Sequence, residues 1–320
     1  MNRFVLITTL VLSTIMVCVS CDKKEPEGKF VGIKDITFEN YPKVDGSTSA
    51  SILNTMVACK LLGVRYTWIT LVEEWFLQPS YSDIPEPYKY DFFGTRVMTS
   101  QTHGAFMNLI DGNADIILTH RTISPDEQAH ADTLGVTLIE TPIALDAFVF
   151  VVNKNNPIKS LTISQIQKIY TSEITNWSQV GGNDENIKVF TRPRNSGSEE
   201  IFRTLVMDGL EPADFPEVAI GSMYFVFWEV KQNPSGICYS FQTYKELQAR
   251  VPDIEVPIIA INGVLPNENT IKNGTYPFIP EVHVSIRSDL DHNSMAYKLY
   301  EWLQSEDAKS TIIECGFITK

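Results

Sequence analysis

FVFVVNKNNPIKSLTISQIQKIYTSEITNWSQVGG, residues 148–182, decides how the chain is read. Ala147–Val152 is apolar at every position, which predicts a strand covered on both faces. Asn155-Asn156-Pro157 ends it. Ser164–Tyr170 has the spacing of a helix, and Asn176-Trp177 with Gly181-Gly182 marks a run of turns. Strand, turn and helix in succession form the unit of an α/β sheet.

The same alternation extends both ways. Upstream, Ala50–Leu62 carries Ile52, Leu53, Met56, Val57 and Leu61 at helical spacing. Residues 78–91 read as a polar, aromatic loop. Gln101–Gly112 is a second helix, and Ala114–Leu118 a buried strand ending in Thr119-His120-Arg121. Ser124-Pro125-Asp126-Glu127 opens another helix with Pro in its first turn. Downstream, Lys188–Thr191 is a short strand, Glu199–Met207 a helix, Ile237–Ser240 a strand and Glu255–Ile261 another. Tyr276–Ile286 alternates as if near a sheet edge, and Ser294–Gln304 is the last long helix. Tyr66, Trp68, Trp75, Phe92 and Phe93 read as packing residues. Ligands of such sheets sit outside the carboxyl ends of the strands.

Residues 1–20 lie outside this pattern. Arg3 precedes a mostly apolar stretch, Phe4–Val19, and Ser20 precedes Cys21, which reads as a secretory leader. Cys21 as the first mature residue has the form of a bacterial lipoprotein anchor; ordinary cleavage leaving a free Cys21 is the other reading. Residues 21–30 form a tether. The expected location is the periplasm or cell surface. The net charge is −13, and losing Arg3 makes it one unit more negative. No basic patch for nucleic acid is present. Any anion must be held by local dipoles and one or two arginines. Cys59, Cys238 and Cys315 read as isolated buried thiols, with a bridge between two of them left open.

Two hydroxyl-rich loops, about 150 residues apart, carry the chemistry. Asp45-Gly46-Ser47-Thr48-Ser49-Ala50 and Arg194-Asn195-Ser196-Gly197-Ser198-Glu199 each open a helix. A helix start presents unpaired N–H groups and the positive dipole end, so it attracts anions. Hydroxyls add donors, glycine lets the backbone approach, and Arg194 can supply a guanidinium fork. Plain helix capping is the simpler reading of the first loop alone, and a surface turn that of the second. Together they suggest one tetrahedral oxyanion held between two lobes.

The ordered set of motifs resembles the periplasmic phosphate-binding proteins of phosphate ABC transporters. YPKVDGSTSA (41–50), NADIILTHRTISPDE (113–127), the 148–182 stretch, RPRNSGSEEIF (192–202), GICYSF (236–241) and AINGVLPNENTIKNGTYPF (260–278) carry the likeness. It implies a two-lobed α/β fold, each lobe a mixed sheet flanked by helices, joined by two crossing segments. Residues 31–151 and 272–320 would form lobe 1, and 152–271 lobe 2. It also implies a monomer that passes inorganic phosphate to an ABC permease, with no cofactor or metal. Gly46, Ser47, Thr48 and Ser49 would donate from one lobe, and Arg194, Ser196, Gly197 and Ser198 from the other.

His120 and Arg121 complete the expected set, and here the chain departs from the family. A small hydroxyl residue usually precedes that arginine, and a nearby carboxylate often accepts the proton of hydrogen phosphate. None stands at 119–121. Asp45, Asp146 and Glu199 are candidate substitutes, and His120 could instead donate. Arg121 reads equally as a surface or inter-lobe ion pair. A sensor for another oxyanion, without a transporter, and a phosphoester hydrolase are the alternatives. Against hydrolysis, no nucleophile elbow, phosphate-binding P-loop or metal-ligand histidine spacing is found.

Overall fold

A computed structural model describes residues 30–71, 74–216, 224–248 and 256–320. The leader, Cys21 and the tether before Phe30 lie outside the described residues. Two sheets organise the chain. The first runs Val44–Gly46, Ile116–Thr119, Glu281–Arg287, Leu138–Leu145; its first pair is parallel and the others antiparallel. The second runs Phe148–Val152, Gly236–Phe241, Lys188–Val189, antiparallel and then parallel. Each is mixed, as the family resemblance implies.

Each sheet has its own core. Val44, Leu53, Met56, Ile116, Val282, Val284 and Leu299 pack in one. Phe148, Phe150, Ile166, Phe202, Phe227 and Tyr239 pack in the other. Phe148–Val152 is buried along its whole length, because helices or chain cover both faces.

The crossings are short. Asp146 N–H donates to the Pro280 carbonyl (3.0 Å) and Phe148 N–H to that of Phe278 (2.9 Å), so the two connecting segments pair as they pass between the sheets. Ile318 closes the first against the C-terminal tail by bonding Leu145 in both directions. This corrects two expected boundaries. Phe148–Val152 belongs to the second sheet, because its ladder partner is Gly236–Phe241. Residues as far as Phe278 pack into the second core. The changeover therefore falls near 146 and 280.

Other expectations shift as well. Glu281–Arg287 lies inside its sheet, between Ile116–Thr119 and Leu138–Leu145, rather than at an edge. Its alternating apolar and polar residues are buried alike from Val282 to Ile286. The strand expected over Glu255–Ile261 is confined to Ala260–Ile261 among the described residues, paired with Ser160–Leu161. A hairpin, Tyr66–Leu71 with Glu74–Pro79, precedes the region read as loop and takes its first two residues, 78 and 79. The helix after the second hydroxyl loop is α-helical over Gly197–Ile201 and widens to a π-helical turn over Phe202–Met207. Cys59, Cys238 and Cys315 are free and buried. Burial pushes the thiols of Cys59 and Cys238 up to about 12.

Candidate functional site

Strand direction brings the two loops together. Val44–Gly46 and Ile116–Thr119 run parallel with Gly46 opposite Leu118, so Ser47 and His120 leave the same end of the first sheet. Only glycine fits at 46: a Cβ there would lie 2.7 Å from the Leu118 carbonyl oxygen. Ser47 N–H donates to that carbonyl at 3.0 Å. In the second lobe, Lys188–Val189 and Gly236–Phe241 also run parallel, and their carboxyl ends deliver Arg192 and Phe241.

Thr48 and Ser49 from one lobe face Ser196, Gly197 and Ser198 from the other across a small cavity of about 20 Å³. Gln101, Thr102, Arg192 and Phe241 complete its wall. Such a space favours an ion of few atoms over a sugar or a peptide. Ser196 caps its helix by accepting from Glu199 N–H at 3.3 Å. Ser47 makes no such cap; its hydroxyl lies 2.9 Å from that of Ser49. Gln101 opens its helix at φ +63°, a left-handed backbone that side chains other than glycine seldom adopt.

Arg192 is the residue that sequence reading missed. It is buried and on the cavity wall, whereas Arg194 is exposed and off it. Burial pulls the Arg192 guanidinium below its ordinary pKa, and nearby Cys238, Tyr239, Tyr244 and Glu199 oppose that. A period-two reading would have found it, because Phe190 and Arg192 share the buried face of the extended segment. The turn closed by Ser196 N–H on the Pro193 carbonyl then swings Arg194 outward. Gln101 and Thr102 were also missed; the signal was a third helix start beside a hydroxyl residue.

Arg121 does not reach the cavity wall. Its guanidinium forks onto Glu127, Nη1 to Oε2 at 2.8 Å and Nη2 to Oε1 at 2.7 Å. Its Nε meets Glu200 of the opposite lobe, and its plane lies over Phe106. The inter-lobe ion pair is thus the role the structure gives it. His120 stands behind the wall, packed on Phe241 and Phe317. Gly46 and Ser47 also lie behind the wall.

The candidate carboxylates turn away. Asp45 accepts from Gly46 N–H, Ser100 N–H and the Asn108 amide. Glu199 accepts from the Tyr239 hydroxyl and from Arg203. Asp146 accepts from Ala147 N–H and faces His120. Two further contacts join the lobes: the Tyr244 hydroxyl donates to the Thr48 carbonyl at 2.7 Å, and Gly197 lies on Thr102. Among the described residues, no group of three or more His, Cys, Asp or Glu side chains is placed to hold a metal. Among them, too, no helix is long and apolar enough to cross a membrane.

Two α/β lobes, two paired crossings and a donor-lined cleft define a two-lobed binding protein. The chain belongs to the PBP superfamily, whose domain model matches residues 66–307. It is 28% identical over 182 residues to the phosphate-binding protein PstS of Bacillus subtilis, covering 57% of each chain. It is 27% identical over 193 residues to protein SphX of Synechococcus elongatus, covering 56% of this chain and 55% of that protein. The matched segment thus spans a little over half the length of these curated relatives. Among solved structures, an ABC-type phosphate transport receptor from Vibrio cholerae superposes with a TM-score of 0.61 at 26% identity. It covers 89% of this chain and all of that one. A protein from Clostridium perfringens, solved with phosphate bound, shares the fold with a TM-score of 0.64 at 20% identity. That match covers 87% of this chain and 98% of that one.

Proposed function

We propose that this chain is a solute-binding protein that takes inorganic phosphate into its cleft and, closed, presents it to an ABC permease. The carrying observation is the cavity wall, built from both lobes. Among the described residues that line it Arg192 alone is ionisable, and hydroxyls and helix starts surround it. A buried guanidinium with neutral donors suits a small dianion, because charge-assisted hydrogen bonds strengthen away from water. Thr48, Ser196, Gly197 and Ser198 act as donors, with Arg192 in the role expected of Arg194. The names of the PstS relatives support phosphate as the ion.

Binding, rather than turnover, is the activity. The lobes close about the paired crossings near 146 and 280, and the Arg121–Glu200 contact holds the closed form. Residues 1–20 direct export, and Cys21 carries a lipid that keeps the monomer at a membrane surface. Isothermal titration of residues 22–320, stripped of anion by unfolding and refolding, tests the reading with phosphate, arsenate, sulfate and molybdate. Tight phosphate binding is expected. Silence toward all four would sink it.

A further inference from the structure

Three buried groups stand in line from the cavity wall inward. Ser49 Oγ lies 2.8 Å from His120 Nδ1. His120 Nε2 lies 3.4 Å from Asp146 Oδ2. The other Asp146 oxygen accepts from Ala147 N–H at 2.7 Å and Thr243 N–H at 3.3 Å. All three residues are nine-tenths or more buried.

This order sets a direction. A carboxylate only accepts, so the His120 proton belongs on Nε2, facing Asp146. Nδ1 then presents a lone pair, and the Ser49 hydroxyl donates to it. The one proton of Ser49 is occupied, so toward the cavity its oxygen can only accept. Ser47, 2.9 Å away, can donate to it. Among the described residues no carboxylate lines the cavity, and Asp45 and Glu199 are bonded elsewhere.

We infer that Ser49 accepts the proton of a monoprotonated oxyanion, and that His120 and Asp146 are positioning residues that give Ser49 this polarity. The inference rests on the oxyanion reading of the cleft and narrows its ligand class. Hydrogen phosphate and hydrogen arsenate carry an O–H to donate. Sulfate has none and would set lone pair against lone pair at Ser49. A buried mismatch of this kind discriminates strongly.

Asp146→Asn tests it. The amide puts an N–H where Oδ2 stood, which turns the His120 tautomer round so that Nδ1–H faces Ser49. The Ser49 proton is then released toward the cavity. In titrations at pH 8, the phosphate-over-sulfate affinity ratio of the variant should fall at least ten-fold from that of the unaltered protein. An unchanged ratio in a folded variant overturns the relay, as does equal binding of both anions by the unaltered protein. Should the Asp146→Asn substitution disturb the crossing, nitrogen-15 NMR of His120 in the unaltered protein decides instead. Protonated Nε2 with bare Nδ1 supports the relay; the opposite tautomer overturns it and leaves the phosphate reading standing. Binding of neither anion by the unaltered protein overturns both.

Discussion

Gly197 lies against Thr102 across the cleft, so near that a Cβ at 197 would come within 2.3 Å of the threonine hydroxyl oxygen. Its backbone is not in the left-handed region, so space, not conformation, requires glycine there. The two residues sit on helix starts of opposite lobes, and their contact measures how far the lobes have closed.

Gly197→Ala should therefore block closure without harming either lobe. Overpacking of this size costs about 1–3 kcal/mol, so phosphate affinity should fall roughly ten- to a hundred-fold. Thermal stability without ligand should hold, since alanine suits a helix better than glycine. Titration, with small-angle scattering to show lobes that stay apart in phosphate, checks this. Wild-type affinity would mean that the contact does not limit closure.

The two arginines of the second loop should behave oppositely. Arg192→Met removes a buried guanidinium from the wall and should weaken phosphate by about a hundred-fold or more, each charge-assisted bond contributing about 1.5–3 kcal/mol. Arg194→Ala, on the exposed turn, should change affinity less than about two-fold. Titration of both variants settles which arginine serves the ligand.

Arg121 should prove to be a stability residue first. Glu127 is fully buried and accepts from it through both carboxylate oxygens. Arg121→Met takes the guanidinium from that buried carboxylate and leaves it to Ser124 N–H and the His103 ring, at a cost of about 3 kcal/mol. The melting midpoint should drop by roughly 10 °C. Calorimetry reads this directly. An unchanged midpoint with lost phosphate binding would return Arg121 to the ligand.

Acid should weaken the first sheet through His283. Its ring is buried on the inner strand, and burial holds its pKa below the ordinary value, with Glu281 opposing. A depressed histidine binds protons more readily when unfolded. Its contribution is thus present above about pH 6.5 and is lost as pH falls through the lowered value. Melting midpoints should decline below about pH 6.5, and His283→Gln should flatten that decline. An identical slope in the variant would assign the loss to other groups.

Local signals carried far in this chain. Phe148–Val152 could only be a doubly covered strand, because five consecutive apolar residues leave no solvent face. Ser47–Ser49 and Ser196–Ser198 were legible as helix starts, since small polar residues and glycine favour such positions. The hairpin Tyr66–Leu71 with Glu74–Pro79 was not, because its aromatics fit a packed loop equally well. Glu281–Arg287 was read as near an edge, because alternation alone does not say how many neighbours a strand has.

The sequence by itself determined the α/β class, the order of strands and helices, and two donor-rich helix starts. These depend on periodicity and on backbone preferences that act over a few residues. Tertiary structure decided the rest. Arg192 rather than Arg194 reaches the wall, because a two-residue alternation meets a turn at Pro193. Arg121 is drawn to Glu127 and Glu200, one carboxylate close by in the chain and the other in the opposite lobe. Ser49, His120 and Asp146 share a line only because parallel strands and a crossing bring their ends together. Which polar atoms meet in a cleft is set by long-range packing, and no short stretch of chain contains that information.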